Sequence, residues 1–382
     1  MKIHMKLFLL IIIILFSSCG IARTTYNVKL SVTHEQEPVP LILGGKHYEG
    51  RVGDVVPIDT IGTRDWIDEP RKCFIEDASS LLYVTFDIDP LDQNKMNSLE
   101  NVELLTNIKS LRIYGKNLDR VDFNPLSALS NLEFFYIKGD ISSPPDLTAL
   151  KKLTDIAIRE SALESFEGLG APNVKRMHIE METFDSLAPL SNLTELEFLD
   201  IGTPRSTFSA IGGIRNVPRL KTLFLGTSGI IDLTGIEQMT GLVDLRLGLR
   251  ATPVNAQGIS RLHNLELLVM SIIENENSSI EYLRELPNLR SVSIYGMAWV
   301  SSLDGEIKEP YQILDVSPLE KSHKLERIAL EGFIIKNVLA LNHLENLIYN
   351  AIILNESRLF DESEAERSTH QLVFNSSIFR DS

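Results

Sequence analysis

The feature that most constrains this chain is a spacing. Apolar residues recur as L-x-x-L-x-L, with any aliphatic residue, Phe or Met at the marked positions. The pattern starts at Leu81, Ile108, Leu132, Leu153, Val174, Leu196, Leu220, Leu242, Leu265, Leu289 and Leu325. Most starts lie 21 to 24 residues apart, and the gaps after Leu81 and Leu289 are 27 and 36. A degenerate copy starts at Leu347, with Asn350 in its second apolar slot. The rhythm is neither a helical 3-4 spacing nor a strict alternation. In SNLEFFYIKG (Ser130–Gly139), Phe135 and Ile137 read as the inward pair of a short strand, and Leu132 as the turn leading into it. One copy cannot bury these residues alone, so neighbouring copies must stack and shelter one another.

A fixed period in this range resembles a leucine-rich repeat. The joints NPLSALSNL at Asn124, LAPLSNL at Leu187 and VSPLEKSHKL at Val316 resemble the 22-residue class of internalins and related bacterial proteins, over roughly Leu81–Ile353. The resemblance implies an α/β solenoid, a right-handed superhelix with a parallel β-sheet on its concave face. Units this short leave room only for 3₁₀ turns, short helices and extended returns. One column departs from the family. Its Asn slot holds Asp89, Lys116, Asp140, Ser161, Glu182, Pro204, Ser228, Arg250, Ile273, Met297 and Phe333. In the family that Asn bonds backbone groups of adjacent turns. Asp and Ser replace part of this, whereas Pro, Ile, Met and Phe cannot. The departure bears on curvature and regularity, above all past Leu265.

The flanks lack the motif. Residues 19–80 read as a small β-rich cap or domain, with Val28, Leu30 and Val32 on one face of a strand over Tyr26–Thr33. Residues 81–355 carry the repeats, and residues 356–382 read as a C-terminal cap and tail. The long unit after Leu289 places an insertion near Val300–Gln312, read as a surface loop with a binding loop as the alternative.

The first residues bear on the compartment. Lys2 and Lys6 precede the apolar run Leu7–Phe16, which is followed by Ser17, Ser18, Cys19 and Gly20. Ten apolar residues span about 15 Å as a helix, roughly half a bilayer core. Residues 1–18 therefore read as a secretory signal. Leu15–Cys19 also resembles a bacterial lipobox, with Phe16 departing from the usual smaller aliphatic residue. That resemblance makes Cys19 the acylated N-terminus, with plain secretion as the alternative. Gly20, rather than Asp, implies sorting to the outer membrane. No acidic cluster follows Cys19, so the reading is periplasm-facing rather than surface-facing. Cys73 would then have no disulfide partner in the chain and reads as a buried thiol, a reactive nucleophile being the other reading.

Net charge is −15, and no long Lys/Arg run is present, which argues against nucleic acid as a partner. No H-E-x-x-H, G-x-S-x-G, P-loop or paired C-x-x-C occurs. Asp87, Asp89 and Asp92 lack the spacing and glycine of a calcium loop. The adjacent carboxylates of Asp68 and Glu69 specify no acid–base geometry. The reading is non-catalytic, without metal or cofactor. An enzyme using residues 24–80 or the insertion is the remote alternative.

The informative surface is the side of the sheet turned away from the core. Its first half gathers Arg112, Tyr114, Phe134, Tyr136, Lys138, Arg159, Arg176 and His178, a basic and aromatic patch on an acidic chain. Tyr and Arg are the residues that most often anchor interfaces. The patch suits a protein or peptide partner, an acidic one included, or a glycan stacked on the aromatics. Cross-strand aromatic pairing and ion pairing are the structural alternatives. Gly202, Gly226 and Gly248 recur in three consecutive units and read either as turn glycines or as a strip open to another backbone.

Overall fold

The computed structural model describes residues 27–29, 41–43, 46–48 and 55–57, then 83–347 apart from 93–96, 100–101, 106, 183–185, 204–210, 212, 228, 249–250, 273–276 and 297–311. It further describes 352–353, 358–359, 361, 363, 368 and 372–373. Residues 1–18, read as a signal, Cys19, Trp66–Glu69, Cys73 and the insertion up to residue 311 lie outside the described residues.

The repeats form one 13-stranded sheet in which every pairing is parallel. It runs in sequence order from Tyr83–Ile88 to Leu372–Val373. The register explains the motif. Leu111, Phe135, Ile156, Met177, Leu199, Leu223, Leu245, Leu268, Val292 and Ile328 form one inward row. Ile113, Ile137, Ile158, Ile179, Ile201 and Leu225 form the second. Both rows are buried, as are Leu132, Leu153, Val174 and Leu196 from the turns leading in. The core is therefore a column continuous along the stack, and each unit shields its neighbours.

Ile352 pairs with Ile328, so Ile352 and not Asn350 continues the first inward row. Two residues are added in this unit relative to the others. Leu372 then pairs with Ile352, extending the sheet into the segment read as a cap.

The returns are short, as the period demands. Helical segments such as Asn124–Ala128, Ala188–Leu190, Ala256–Arg261 and Ser317–Lys321 are 3₁₀ turns. Extended returns pair as well. Ile230–Asp232 joins Thr252–Val254, and Asn277–Ser278, Gln312–Asp315, Phe333–Lys336 and Arg358–Leu359 form a second parallel sheet. Many returns open on an Asx or Ser turn, in which a side-chain oxygen accepts from the amide two residues on. Asp122, Asp146, Ser165, Ser186, Asp232, Ser279 and Asp315 all do this.

Part of the usual column still bonds between turns: Asp89 Oδ1 accepts from Asn117 Nδ2 at 2.9 Å, and Asp140 Oδ1 accepts from the Leu118 amide at 3.3 Å. A second ladder stands on the residue just before most motif starts. Lys152 Nζ donates to Asn131 Oδ1 at 2.7 Å, and Asn173 Nδ2 donates to the Lys151 carbonyl at 2.6 Å. Asn264 and Asn288 donate to the carbonyls of Thr240 and His263 at 2.9 and 2.7 Å. Arg219 pairs with Glu195 on the same rung. Pairing continues past Leu265 without a register break.

At the N-terminal end, Asn27–Lys29 pairs antiparallel with Val55–Pro57, and Leu41–Leu43 with Lys46–Tyr48. Both pairs fall in the region read as β-rich.

Candidate functional site

The open face of the sheet carries three outward rows, fixed by strand register. The middle row runs Arg112, Tyr136, Ala157, His178, Asp200, Phe224 and Arg246. Alternation along each strand sends these side chains away from the core. All eight residues singled out from the sequence, Arg112 to His178, stand on strands of this face.

Its first part is aromatic. The Tyr114 and Tyr136 rings are 5.4 Å apart at 46°, and Tyr114 is exposed. The Arg112 guanidinium sits over the Phe134 ring, 5.7 Å from its centre. Burial, then the neighbouring Tyr114, pushes the Tyr136 hydroxyl above its ordinary pKa.

The rest of the predicted basic patch is internally neutralised. Lys138 Nζ is 2.9 Å from Glu160, and Arg159 Nε is 3.3 Å from Glu180. Arg176 pairs with Asp155, its partner in register on the next strand. His178 Nδ1 is 2.6 Å from Asp200 Oδ2, and its Nε2 is 3.8 Å from Glu180. Burial works to discharge this imidazole, but Asp200 and Glu180 outweigh it and raise its pKa to about 9. Glu180 is held down to about 2, chiefly by His178 and against the pull of burial. His178 is therefore an imidazolium at neutral pH, and what reads as a cationic surface is a mesh of ion pairs. Among the cations on the strands from Ser110–Gly115 to Asp244–Leu247, Arg112 alone makes no ion pair among the described residues.

A second aromatic patch lies further along. Phe198 and Phe224 meet edge to face with centres 5.5 Å apart, and the Arg246 guanidinium lies 4.6 Å over Phe224. Arg246 also donates twice to Asp244, at 2.9 and 2.8 Å. Beside this patch run Gly202 and Gly226, in register with each other. Among the described residues a Cβ on either would meet nothing closer than 3.6 Å, the Glu180 Cγ beside Gly202. Gly248 differs, because a Cβ there would fall 2.3 Å from the Thr227 carbonyl oxygen. Packing thus requires one of the three recurring glycines and leaves the other two unexplained.

The alternation that turns Tyr136 outward also puts Phe198, Phe224 and Arg246 on this face, though none of the three is singled out from the sequence. Ion pairing, named as the structural alternative for the patch, is what the cations other than Arg112 do, through Glu160, Glu180, Asp155 and Asp200. The signal for the pairing was present: Asp155, Glu180 and Asp200 stand one strand from the cation they pair with, on the same row.

Among the described residues no group of three or more His, Cys, Asp or Glu side chains is arranged to hold a metal ion. Among them no helix is long and apolar enough to cross a membrane. No protein-family model matches the chain, and no curated protein does. Among solved structures, an internalin from Listeria monocytogenes is similar over 85% of this chain and 90% of its own, with 18% identity and a TM-score of 0.54. A leucine-rich-repeat protein from Leptospira interrogans is similar over 78% of this chain and 90% of its own, with 16% identity and a TM-score of 0.43. The topology and the likeness to the internalin define the fold as a leucine-rich-repeat solenoid.

Proposed function

We propose that this chain is a membrane-anchored, non-catalytic scaffold whose concave sheet binds a protein or peptide partner. One observation carries the reading. The outward rows hold aromatics at Tyr114, which is exposed, and at Tyr136, Phe134, Phe198 and Phe224, which are half-buried, on a parallel sheet that holds its core with the opposite face. Rigid aromatics displayed on a fixed backbone give contact area at low entropic cost, which is what a recognition surface needs.

The anchoring half of the proposal rests on sequence. Lys2, Lys6, the run Leu7–Phe16 and Cys19 support a lipoprotein of the outer membrane with its repeats in the periplasm. Palmitate labelling that persists in Cys19→Ser would overturn this half alone.

For the binding half, the test is crosslinking in the native envelope, comparing wild type with an Arg112, Tyr114, Tyr136 triple alanine variant. Loss of a defined protein adduct, with an unchanged melting curve, supports the reading. An adduct that survives the triple substitution rejects the concave face. The Tyr114–Tyr136 platform also suits a sugar ring, so retention on cell-wall polysaccharide that soluble sugar competes and salt does not would assign a glycan instead.

A further inference from the structure

The two aromatic patches are separated by a belt that has no unpaired cation. The first patch occupies the strands Ser110–Gly115 and Phe134–Lys138, and the second occupies Phe198–Thr203 and Thr222–Thr227. Between them lie Asp155–Arg159 and Arg176–Glu180, whose Arg176, Arg159 and His178 are each neutralised by carboxylates of this face. The middle row of the belt begins with Ala157, a small side chain. From centre to centre the patches are four strand steps apart, about 19 Å.

The patches differ in chemistry. The first offers Arg112, a cation stacked on Phe134 and lacking a carboxylate partner among the described residues. In register, the nearest acid on the preceding strand is Asp87, which stands opposite Tyr114 rather than Arg112. A guanidinium held against an aromatic face, with its donors free, is built to take a carboxylate. The second patch has no free cation, since Arg246 is held bidentate by Asp244. It offers the Phe198–Phe224 edge and, beside it, Gly226, where a Cβ would meet only the Ile201 carbonyl oxygen and the Gly202 Cα among the described residues, at 3.7 and 3.8 Å. Neither glycine carries a left-handed φ and neither is required by packing, so the fold leaves both free to bear side chains. The missing side chain at Gly226 leaves its backbone exposed next to Phe224, a place for an apolar side chain of a partner, while Glu180 borders Gly202.

We infer that the concave face is a two-point reader of an extended peptide, in which Arg112 takes an acidic side chain and the Phe198–Phe224–Gly226 slot takes a bulky apolar one about six residues away. The distance follows from the geometry, because an extended chain rises about 3.3 Å per residue and must cover the four to five strand steps from Arg112 to Phe198 and Phe224, about 19–24 Å or roughly six to seven residues. The neutral belt lets the intervening residues pass without a charge requirement. This inference rests on the concave face being the binding surface and narrows what that surface selects.

The test uses the full chain and synthetic peptides, N-acetylated and amidated. Each carries one Glu and one Phe in a Gly/Ser background, at separations of three, six and ten residues and in both orders. Fluorescence anisotropy should show the tightest binding at six. Arg112→Gln should weaken the Glu–Phe peptide by roughly tenfold or more, as loss of a charge-assisted bond does, and leave a Phe-only peptide unchanged. Gly226→Leu should fill the slot, keep the melting temperature, and bring the Glu–Phe peptide down to the affinity of a Glu-only peptide. Affinity indifferent to separation overturns the inference. So does an Arg112→Gln effect of equal size on both peptides. If the envelope adduct depends on the concave face while no peptide in the series binds, the scaffold reading stands and the two-point code falls.

Discussion

The His178 imidazolium donates from Nδ1 to Asp200 Oδ2 across 2.6 Å, and the two residues are in register on adjacent strands. Its pKa of about 9 lies above the ordinary value of 6.5, so the folded state binds this proton more tightly than the unfolded state. The stabilisation is fully present below about pH 6.5 and is lost as pH rises through 9. Its ceiling is about 3 kcal/mol, reduced by the partial exposure of the ring. Wild type should therefore exceed His178→Gln in stability by roughly 1–3 kcal/mol at pH 6, and the gap should close by pH 10. Urea melts across that range measure it, and an imidazole NMR titration midpoint near 6.5 would refute the clamp.

Glu160 supplies a second test. It is a non-glycine residue in left-handed conformation, with φ 52°, and it stands where other units place Gly115, Gly139, Gly296 and Gly332. A left-handed L-residue costs about 1–2 kcal/mol, while its exposed pair with Lys138 returns at most about 1. Its backbone amide donates to Glu180 at 2.8 Å, a bond that glycine keeps. Glu160→Gly should raise stability by up to about 1 kcal/mol, and Glu160→Ala should lower it by about 0.5–1. Equal effects of the two substitutions would show that backbone strain plays no part.

The glycines beside the second patch divide cleanly. Gly248→Ala drives a Cβ against the Thr227 carbonyl and should cost about 1–3 kcal/mol. Gly226→Ala meets only ordinary contacts and should fall within about 0.5 kcal/mol of wild type, or above it. Melting curves of the two variants decide whether Gly226 is held by packing.

Period and strand face were legible in the sequence because they depend on one thing, the burial of an apolar pair per unit. Phe135 and Ile137 must point inward, so Tyr136 must point outward, and eleven copies repeat the statement. The neutralisation of the patch was harder to read. It depends on which carboxylate lies across from which cation, and that is a property of neighbouring units rather than of one. Arg176 reads as a free cation until Asp155, 21 residues earlier, is set beside it. The ladder was missed for a related reason. Attention to the family's Asn column hid a second column, where Asn107, Asn131, Asn173, Asn264, Asn288 and Asn346 each precede a motif start. The degenerate copy at Leu347 was misaligned because two added residues shift a period-2 strand without changing its face.

That second column can be tested at Asn288, which bonds in both directions. Its Nδ2 donates to the His263 carbonyl at 2.7 Å, and its Oδ1 accepts from Lys324 Nζ at 2.6 Å. It thus ties three successive units together, across the place where one unit is 36 residues long. Asn288→Ala leaves the His263 carbonyl without this donor, at a cost of about 1 kcal/mol, because water reaches part of the site. In a stack stabilised by nearest neighbours the damage should stay local. Hydrogen exchange should rise in the strands Leu267–Ile272, Ser291–Gly296 and Arg327–Glu331 and be unchanged in Phe134–Lys138. Asn288→Asp removes the donor and keeps the Lys324 contact, so it should loosen the first of these interfaces more than the last. A uniform rise along the whole sheet would mean that the repeats unfold as one block and that the rung ties no particular pair of units.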